Sequence, residues 1–201
     1  MPSDTNTHTT FRQGRLFIVS APSGAGKTTL CRALLAHFTD LQYAVSHTTR
    51  APRPGEVHGA DYFFVTAADF EGMIAAERLA EWARVHDHYY GTSTDTLNQA
   101  LMAGQDLLLD IDIQGAEQLL VHYPNSVTIF IRPPSLEALK ARLETRSANA
   151  PADLARRLAN AQREMERESF YRHVIINDDL STATAEIIRL VGSYRTALPS
   201  T

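Results

Sequence analysis

The sequence predicts an α/β protein, with one parallel sheet covered by helices on both faces. Three observations predict it. Five short runs, at 16–20, 43–46, 107–111, 127–131 and 174–176, are apolar on both faces or nearly so, as strands of a doubly covered sheet must be. Helical patterns separate them, at 27–38, 114–122, 135–146, 154–169 and 182–195. The first strand also runs through a glycine-rich turn into the first helix, which is the setting a phosphate-binding loop requires.

That first element is LFIVSAPSGAGKTTL, residues 16–30. Phe17, Ile18 and Val19 make a buried, β-branched strand. The loop Ala21, Pro22, Ser23, Gly24, Ala25, Gly26 lets the backbone curl so that successive N–H groups face an anion. Lys27, Thr28 and Thr29 open a helix whose positive dipole end adds to the attraction. Lys27 is placed to reach the terminal phosphates of a nucleotide, and the Thr28 hydroxyl to ligate Mg²⁺. Ala21 stands where the general pattern GxxxxGK[ST] has glycine; alanine tolerates the turn while its φ stays negative. Further on, Pro133-Pro134 ends a strand and Ser135 caps the helix after it.

Between the second and third core strands lies an excursion from 47 to about 104, too long for a loop. Runs 61–66 (DYFFVT) and 79–85 (LAEWARV) read as strands around an amphipathic segment at 67–77. In the second run, Glu81-Trp82 and Arg84 alternate against Leu79, Ala83 and Val85. The excursion therefore reads as a β-rich lobe hung on the core. A polar connection at 147–153, bracketed by arginines, reads as the bend of a lid.

Composition narrows the class. With 201 residues, 44% hydrophobic and a net charge of −4, the chain has one sizeable core and no general affinity for nucleic acid. Cys31 is alone, so no disulfide framework or cysteine metal site exists. His86-Asp87-His88 lacks further ligands at suitable spacing and reads as a polar turn. The polar opening MPSDTNTHTTFR has no signal-peptide core, and no run reaches membrane-span length. The expectation is a soluble cytoplasmic protein with a disordered tail at 1–14. Oligomeric state is left open.

The excursion opens with SHTTRAPRPGE, residues 46–56. Arg50 and Arg53, rigidified by prolines, suit a second anion, because a guanidinium grips phosphate with two parallel hydrogen bonds. The Tyr62 hydroxyl could reach the same anion. In LLLDID, Asp110 ends an apolar strand where parallel sheets bind ligands. Two phosphate sites in one small α/β protein imply a kinase with a phosphorylated acceptor.

These residues carry a resemblance. The motifs SAPSGAGKTTL, VSHTTRAPRPGEVHGADYFF, EW followed by YYGTS, LLLDIDIQG, IFIRPPS and VIINDDL resemble guanylate kinase, from about residue 16 to 195. The resemblance implies a three-layer P-loop NTPase core (15–46, 105–140 and 170–197), an inserted GMP-binding lobe (47–104) and an arginine-bearing lid (about 141–169). It implies ATP and GMP as substrates, with Mg²⁺ at Thr28 and Asp110, directly or through water. It places the loop from Ala21 to Thr29, with Asn177, on ATP. Arg50, Arg53 and Tyr62, with Tyr90 beside them, go to the GMP phosphate, Ser46, Glu81, Thr92 and Asp112 surround guanine, and Glu56 is counted among the GMP-binding residues. The chemistry agrees, because a carboxylate such as Glu81 accepts from guanine N1–H and the exocyclic amine, whereas adenine would leave it unpaired.

Lys27 and Arg50 with the lid arginines Arg142, Arg146 and Arg157 are the catalytic set the resemblance implies. On helical spacing alone, Arg142 and Arg146 also fit a solvated face paired with Glu137 or Glu144. Ser147 stands where the family usually has glycine, which bears on how the lid hinges. Two other activities fit parts of the pattern: a related kinase with a different phosphorylated acceptor, and a non-catalytic interaction module on the same fold. The first leaves Glu81, Thr92 and Asp112 without a common purpose, and the second usually lacks the phosphate loop.

Overall fold

The computed structural model describes residues 12–85, 87–146 and 151–196. In chain order the elements are β1 (Leu16–Ser20), α1 (Lys27–His37), β2 (Gln42–Tyr43), β3 (His47–Thr48), β4 (Phe63–Phe64) and α2 (Ala67–Ala75). They continue with β5 (Leu79–Val85), β6 (His88–Ser93), α3 (Thr94–Met102), β7 (Leu107–Asp110), α4 (Ile113–His122) and β8 (Val127–Arg132). The chain ends with α5 (Leu136–Arg146), α6 (Pro151–Met165), a short 3₁₀ turn (Glu168–Phe170), β9 (His173–Ile176) and α7 (Leu180–Thr196).

The core sheet is parallel throughout, in the order β2-β7-β1-β8-β9. Alternation along β1 divides the core. Leu16 and Ile18 face a layer built with Leu97 and Leu101 of α3 and Ile113, Ala116 and Leu119 of α4. Phe17 and Val19 face Leu30 and Leu34 of α1 and Ala183, Ile187 and Val191 of α7. Both faces of every central strand are thus covered, which is why these runs carry almost no polar residue. β1 lies at the centre with chain crossing to both sides, so its carboxyl end opens a crevice.

The lobe is a second sheet, β4-β3-β6-β5, with antiparallel pairing of β3 with β6 and of β6 with β5. Its ladders are shorter than the apolar runs predict. DYFFVT contributes only Phe63–Phe64, paired to a two-residue strand, His47–Thr48, that the sequence pattern does not reveal. The second core strand is likewise two residues, Gln42–Tyr43, rather than 43–46, paired with β7 at the edge of the sheet. Helix α3 was not expected; Ser93 caps it, and Leu97 and Leu101 lie one turn apart on its buried face. It packs with the core layer although its residues fall in the stretch assigned to the lobe.

The folded chain also begins before Arg15, within the stretch expected as tail. The Gly14 N–H donates to Leu101 O at 2.8 Å, and the Arg12 guanidinium meets both oxygens of Asp106 at 2.6 Å. Residues 1–11, His86, 147–150 of the expected lid bend and 197–201 lie outside the described residues, and 151–153 of that bend are the first turn of α6 rather than a loop. Among the described residues no helix is long and apolar enough to cross a membrane.

Candidate active site

The phosphate loop leaves the carboxyl end of β1. Gly24 (φ +93°) and Gly26 (φ +98°) adopt left-handed backbone, and the Ala25 N–H donates to Pro22 O at 3.0 Å to close the turn. No side chain caps α1 at Gly26, so the amides of its first turn are left for a ligand. Ala25 is fully buried beneath the loop. Lys27 makes an ion pair with Asp110 and donates to Ile111 O at 3.2 Å, which aims its ammonium across the crevice. Thr28 and Thr29 are exposed at the helix start.

A cleft of about 350 Å³ runs from Lys27, Thr28 and Asp110 to Ser46, Tyr62, Glu81, Tyr90 and Asp112. Donor-side and acceptor-side candidates thus share one cavity, although Lys27 and Asp112 are 85 positions apart in sequence.

Glu81 is 4% exposed. The sequence pattern groups it with Trp82 and Arg84 on the polar side, but in the regular ladder from Glu81 to Val85 it shares the buried face of Ala83, and Trp82 points outward. The Thr92 hydroxyl donates to Glu81 Oε1 at 2.6 Å and lies 3.0 Å from Ser46 Oγ. Burial pushes the Glu81 carboxyl up to about 7, and the nearby Asp112 charge adds to this against the Thr92 hydrogen bond. Asp112 caps α4, accepting from the Gly115 N–H at 2.8 Å.

The arginine turn is tied together by Glu56. Arg50 donates to Glu56 Oε1 and to Ala51 O, both at 2.8 Å, and its guanidinium lies over Tyr62, 5.5 Å from the ring centre. The hydrogen bond it donates to Glu56 raises the Arg50 guanidinium above its ordinary value. The other Glu56 oxygen accepts from the Arg53 N–H at 2.7 Å, so Glu56 shapes the turn. Arg53 is exposed, and only its backbone joins this network among the described contacts. Tyr62 and Tyr90 meet edge to face at 5.9 Å.

The remaining donor-side candidates are spread. Asn177 is 4% exposed, and its side-chain amide donates to Ala25 O at 2.7 Å. A Cβ at position 26 would lie 2.2 Å from the same nitrogen, so Gly26 serves the close approach as well as the turn. Arg142 donates to Asn177 O at 2.8 Å and Asp178 O at 3.2 Å. It therefore braces the end of β9 rather than pairing with Glu137 or Glu144. Arg157 pairs with Asp153 at 2.9 Å and shares a cavity of about 170 Å³ with Ser23 of the loop. The side chain of Arg146 lies outside the described residues.

Two residues of the site were not foreseen. Tyr43 lines the cleft from the end of β2, and burial, with Asp110 and Tyr62 nearby, pushes its phenol up. An aromatic at the carboxyl end of a core strand was the available signal. Glu164 stands two helical turns after Arg157 on the same face of α6 and shares its cavity. Burial raises its carboxyl to about 7, with Asp112 adding and Lys27 opposing.

Comparison with known proteins accords with this geometry. The profile of the guanylate kinase family matches residues 13–194. The guanylate kinase of Geobacter sulfurreducens is 51% identical over 176 residues, 88% of this chain and 87% of the relative. That of Chromohalobacter salexigens is 51% identical over 187 residues, covering 93% and 87%. Among solved structures, guanylate kinase from Anaplasma phagocytophilum superposes with a TM-score of 0.71 at 29% identity, over 92% of this chain and 88% of its own. With its phosphate loop on a parallel sheet and a lobe facing that loop across one cleft, this chain belongs to the guanylate kinase family.

Proposed function

We propose that this protein transfers the γ-phosphoryl group of ATP to GMP, and to dGMP, releasing ADP and the nucleoside diphosphate. The observation that carries this is the single cleft that joins Lys27, Thr28 and Asp110 to Ser46, Glu81, Tyr90 and Asp112. The 51% identical relatives are named guanylate kinase, which supports the acceptor.

In this mechanism the loop amides and Lys27 hold the triphosphate, and Arg50, Arg53, Tyr62 and Tyr90 hold the acceptor phosphate. Ionised Glu81 accepts from guanine N1–H and the exocyclic amine, with Asp112, Ser46 and Thr92 around the base. An oxygen of the GMP phosphate attacks the γ-phosphorus in line, and the bond from that phosphorus to the β-phosphate oxygen breaks. The attacking oxygen is already anionic, so no proton has to be removed and no general base is needed. What remains is alignment and neutralisation of charge on the transferring oxygens, supplied by Lys27, Arg142, Arg146 and Arg157.

Thr28 and Asp110 bring a hydroxyl and a carboxylate oxygen to one cleft, the hard donors that Mg²⁺ takes. No cluster of three His, Cys, Asp or Glu side chains stands ready for a metal among the described residues, so phosphate oxygens and water would complete the shell. Bound there, the ion neutralises triphosphate charge. A cytoplasmic, reducing location fits the lone buried thiol of Cys31, which burial pushes up to about 12 and so keeps unreactive.

An ADP-release assay with GMP, dGMP, AMP, UMP and IMP tests the proposal. Release with GMP and dGMP but not AMP or UMP is expected. Preference for AMP or UMP would mean another acceptor, and no release with any nucleotide would favour a scaffold role.

A further inference from the structure

We propose that Gly115 is a specificity-determining residue of the acceptor site: its missing side chain is the gap in which the Glu81 carboxylate is seated. The proposal presupposes the guanine acceptor assigned above. Helix α4 lies against edge strand β5, so a Cβ at position 115 would stand 2.7 Å from Glu81 Oε2 and 3.3 Å from Glu81 Cδ. Ile111 Cδ1 closes the remaining space at 3.4 Å. On its other side the carboxylate is held by the Thr92 hydroxyl, 2.6 Å from Oε1. The group that reads the base is therefore clamped between one hydroxyl and one glycine.

β5 is not free to retreat from α4. One turn beyond Gly115, Gln118 takes both backbone groups of Trp82, accepting from its N–H at 3.1 Å and donating to its carbonyl at 2.8 Å. A methyl group at 115 is then relieved most cheaply by the end of the flexible Glu81 side chain, not by backbone. The fold tolerates the change while the base-reading oxygens move. Gly115 also donates its N–H to Asp112, so a single residue seats both carboxylates of the acceptor site. Its place in α4 runs against helix propensity, since glycine there stabilises the helix less than alanine would.

The test compares wild type, G115A, E81Q, E81D and E81D/G115A for GMP, IMP and ATP kinetics and for thermal unfolding. In G115A the KM for GMP should rise about tenfold or more, with the KM for ATP within about twofold and no loss of Tm. Preference for GMP over IMP, which lacks the exocyclic amine, should narrow. In the double variant the carboxylate is one methylene shorter and clears the new methyl, so its loss should be smaller than the sum of the E81D and G115A losses. An unchanged GMP KM in G115A, equal losses for both nucleotides, a lowered Tm or strictly additive losses would each overturn the inference. If E81Q raises the GMP KM and G115A does not, the inference fails alone. If wild type does not phosphorylate GMP, or E81Q binds it normally, the acceptor assignment fails and takes the inference with it.

Discussion

The side-chain amide of Asn177 donates to Ala25 O at 2.7 Å, tying the end of β9 to the middle of the phosphate loop. The resemblance placed Asn177 on the adenine of ATP; in the structure its amide holds the loop in shape. Asn177→Ala leaves a buried carbonyl unpaired, at a cost of about 1–3 kcal/mol. ATP KM should rise roughly tenfold while GMP KM stays within about twofold, which steady-state kinetics with each substrate varied will check.

Lys27 faces Asp110 and the Ile111 carbonyl, where its charge is fixed beside the phosphate loop. Lys27→Ala should lower turnover by at least about 10²–10³-fold, because a preorganised cation at the transferring group is lost. Calorimetric GMP binding should remain close to wild type. Near-normal turnover would show that the loop has been given the wrong role.

Glu81 sets a pH window. Its folded value, about 7, is above the ordinary carboxyl value it has when unfolded. Its contribution to stability is complete below that ordinary value and is lost as pH rises through about 7. Glu81→Gln should therefore gain stability relative to wild type between pH 5 and 8, by on the order of 1–3 kcal/mol. The carboxylate must be ionised to accept two donors, so kcat/KM for GMP should fall on the acid side of neutrality. Glu164 titrates in the same range, so Glu164→Gln is the control. An acid limb that disappears in that variant would reassign the profile to α6.

Asp106, 2% exposed, closes the far rim of the sheet. It accepts from Arg12, from the Arg15 N–H at 2.9 Å and from Arg195 Nε at 2.8 Å. Burial alone would raise its carboxyl, but the hydrogen bonds from Arg195, Arg12 and the Arg15 amide outweigh burial and hold it below the usual range. The stability this supplies is present above the ordinary carboxyl value and is lost as pH falls through the lowered one. Asp106→Ala should cost about 1–3 kcal/mol in urea unfolding, because it removes the acceptor shared by Arg12, the Arg15 N–H and Arg195, which keeps its pair with Asp40, with both KM values unchanged.

The central strands were legible because burial on both faces forces long apolar runs, and β1, β7, β8 and β9 appear within about two residues of their predicted ends. Of the two-residue strands, β2 and β4 fall in or beside runs read as longer strands, and β3 was not seen, since so short a ladder imposes no periodicity. Helix α3 was hidden by polar residues around Leu97 and Leu101. Local chemistry identified the phosphate loop and the arginine turn. What sequence could not reveal depends on tertiary approach: Glu81 is buried because α4 lies over its face of β5, and Asn177 reaches Ala25 only once β9 has joined the sheet. Arg53, prominent in the motif, is exposed and contributes its backbone.

Trp82 is the only tryptophan in the chain. It stands next to Glu81, is 37% exposed, meets Tyr89 edge on at 6.0 Å and is bound through its backbone to Gln118. An indole at the seam between lobe and core senses any sliding of β5 along α4 as a change in its hydration. The molecule thus carries its own fluorophore one residue from the carboxylate proposed to read the base. Acceptor binding can be followed by intrinsic emission without a label and apart from turnover.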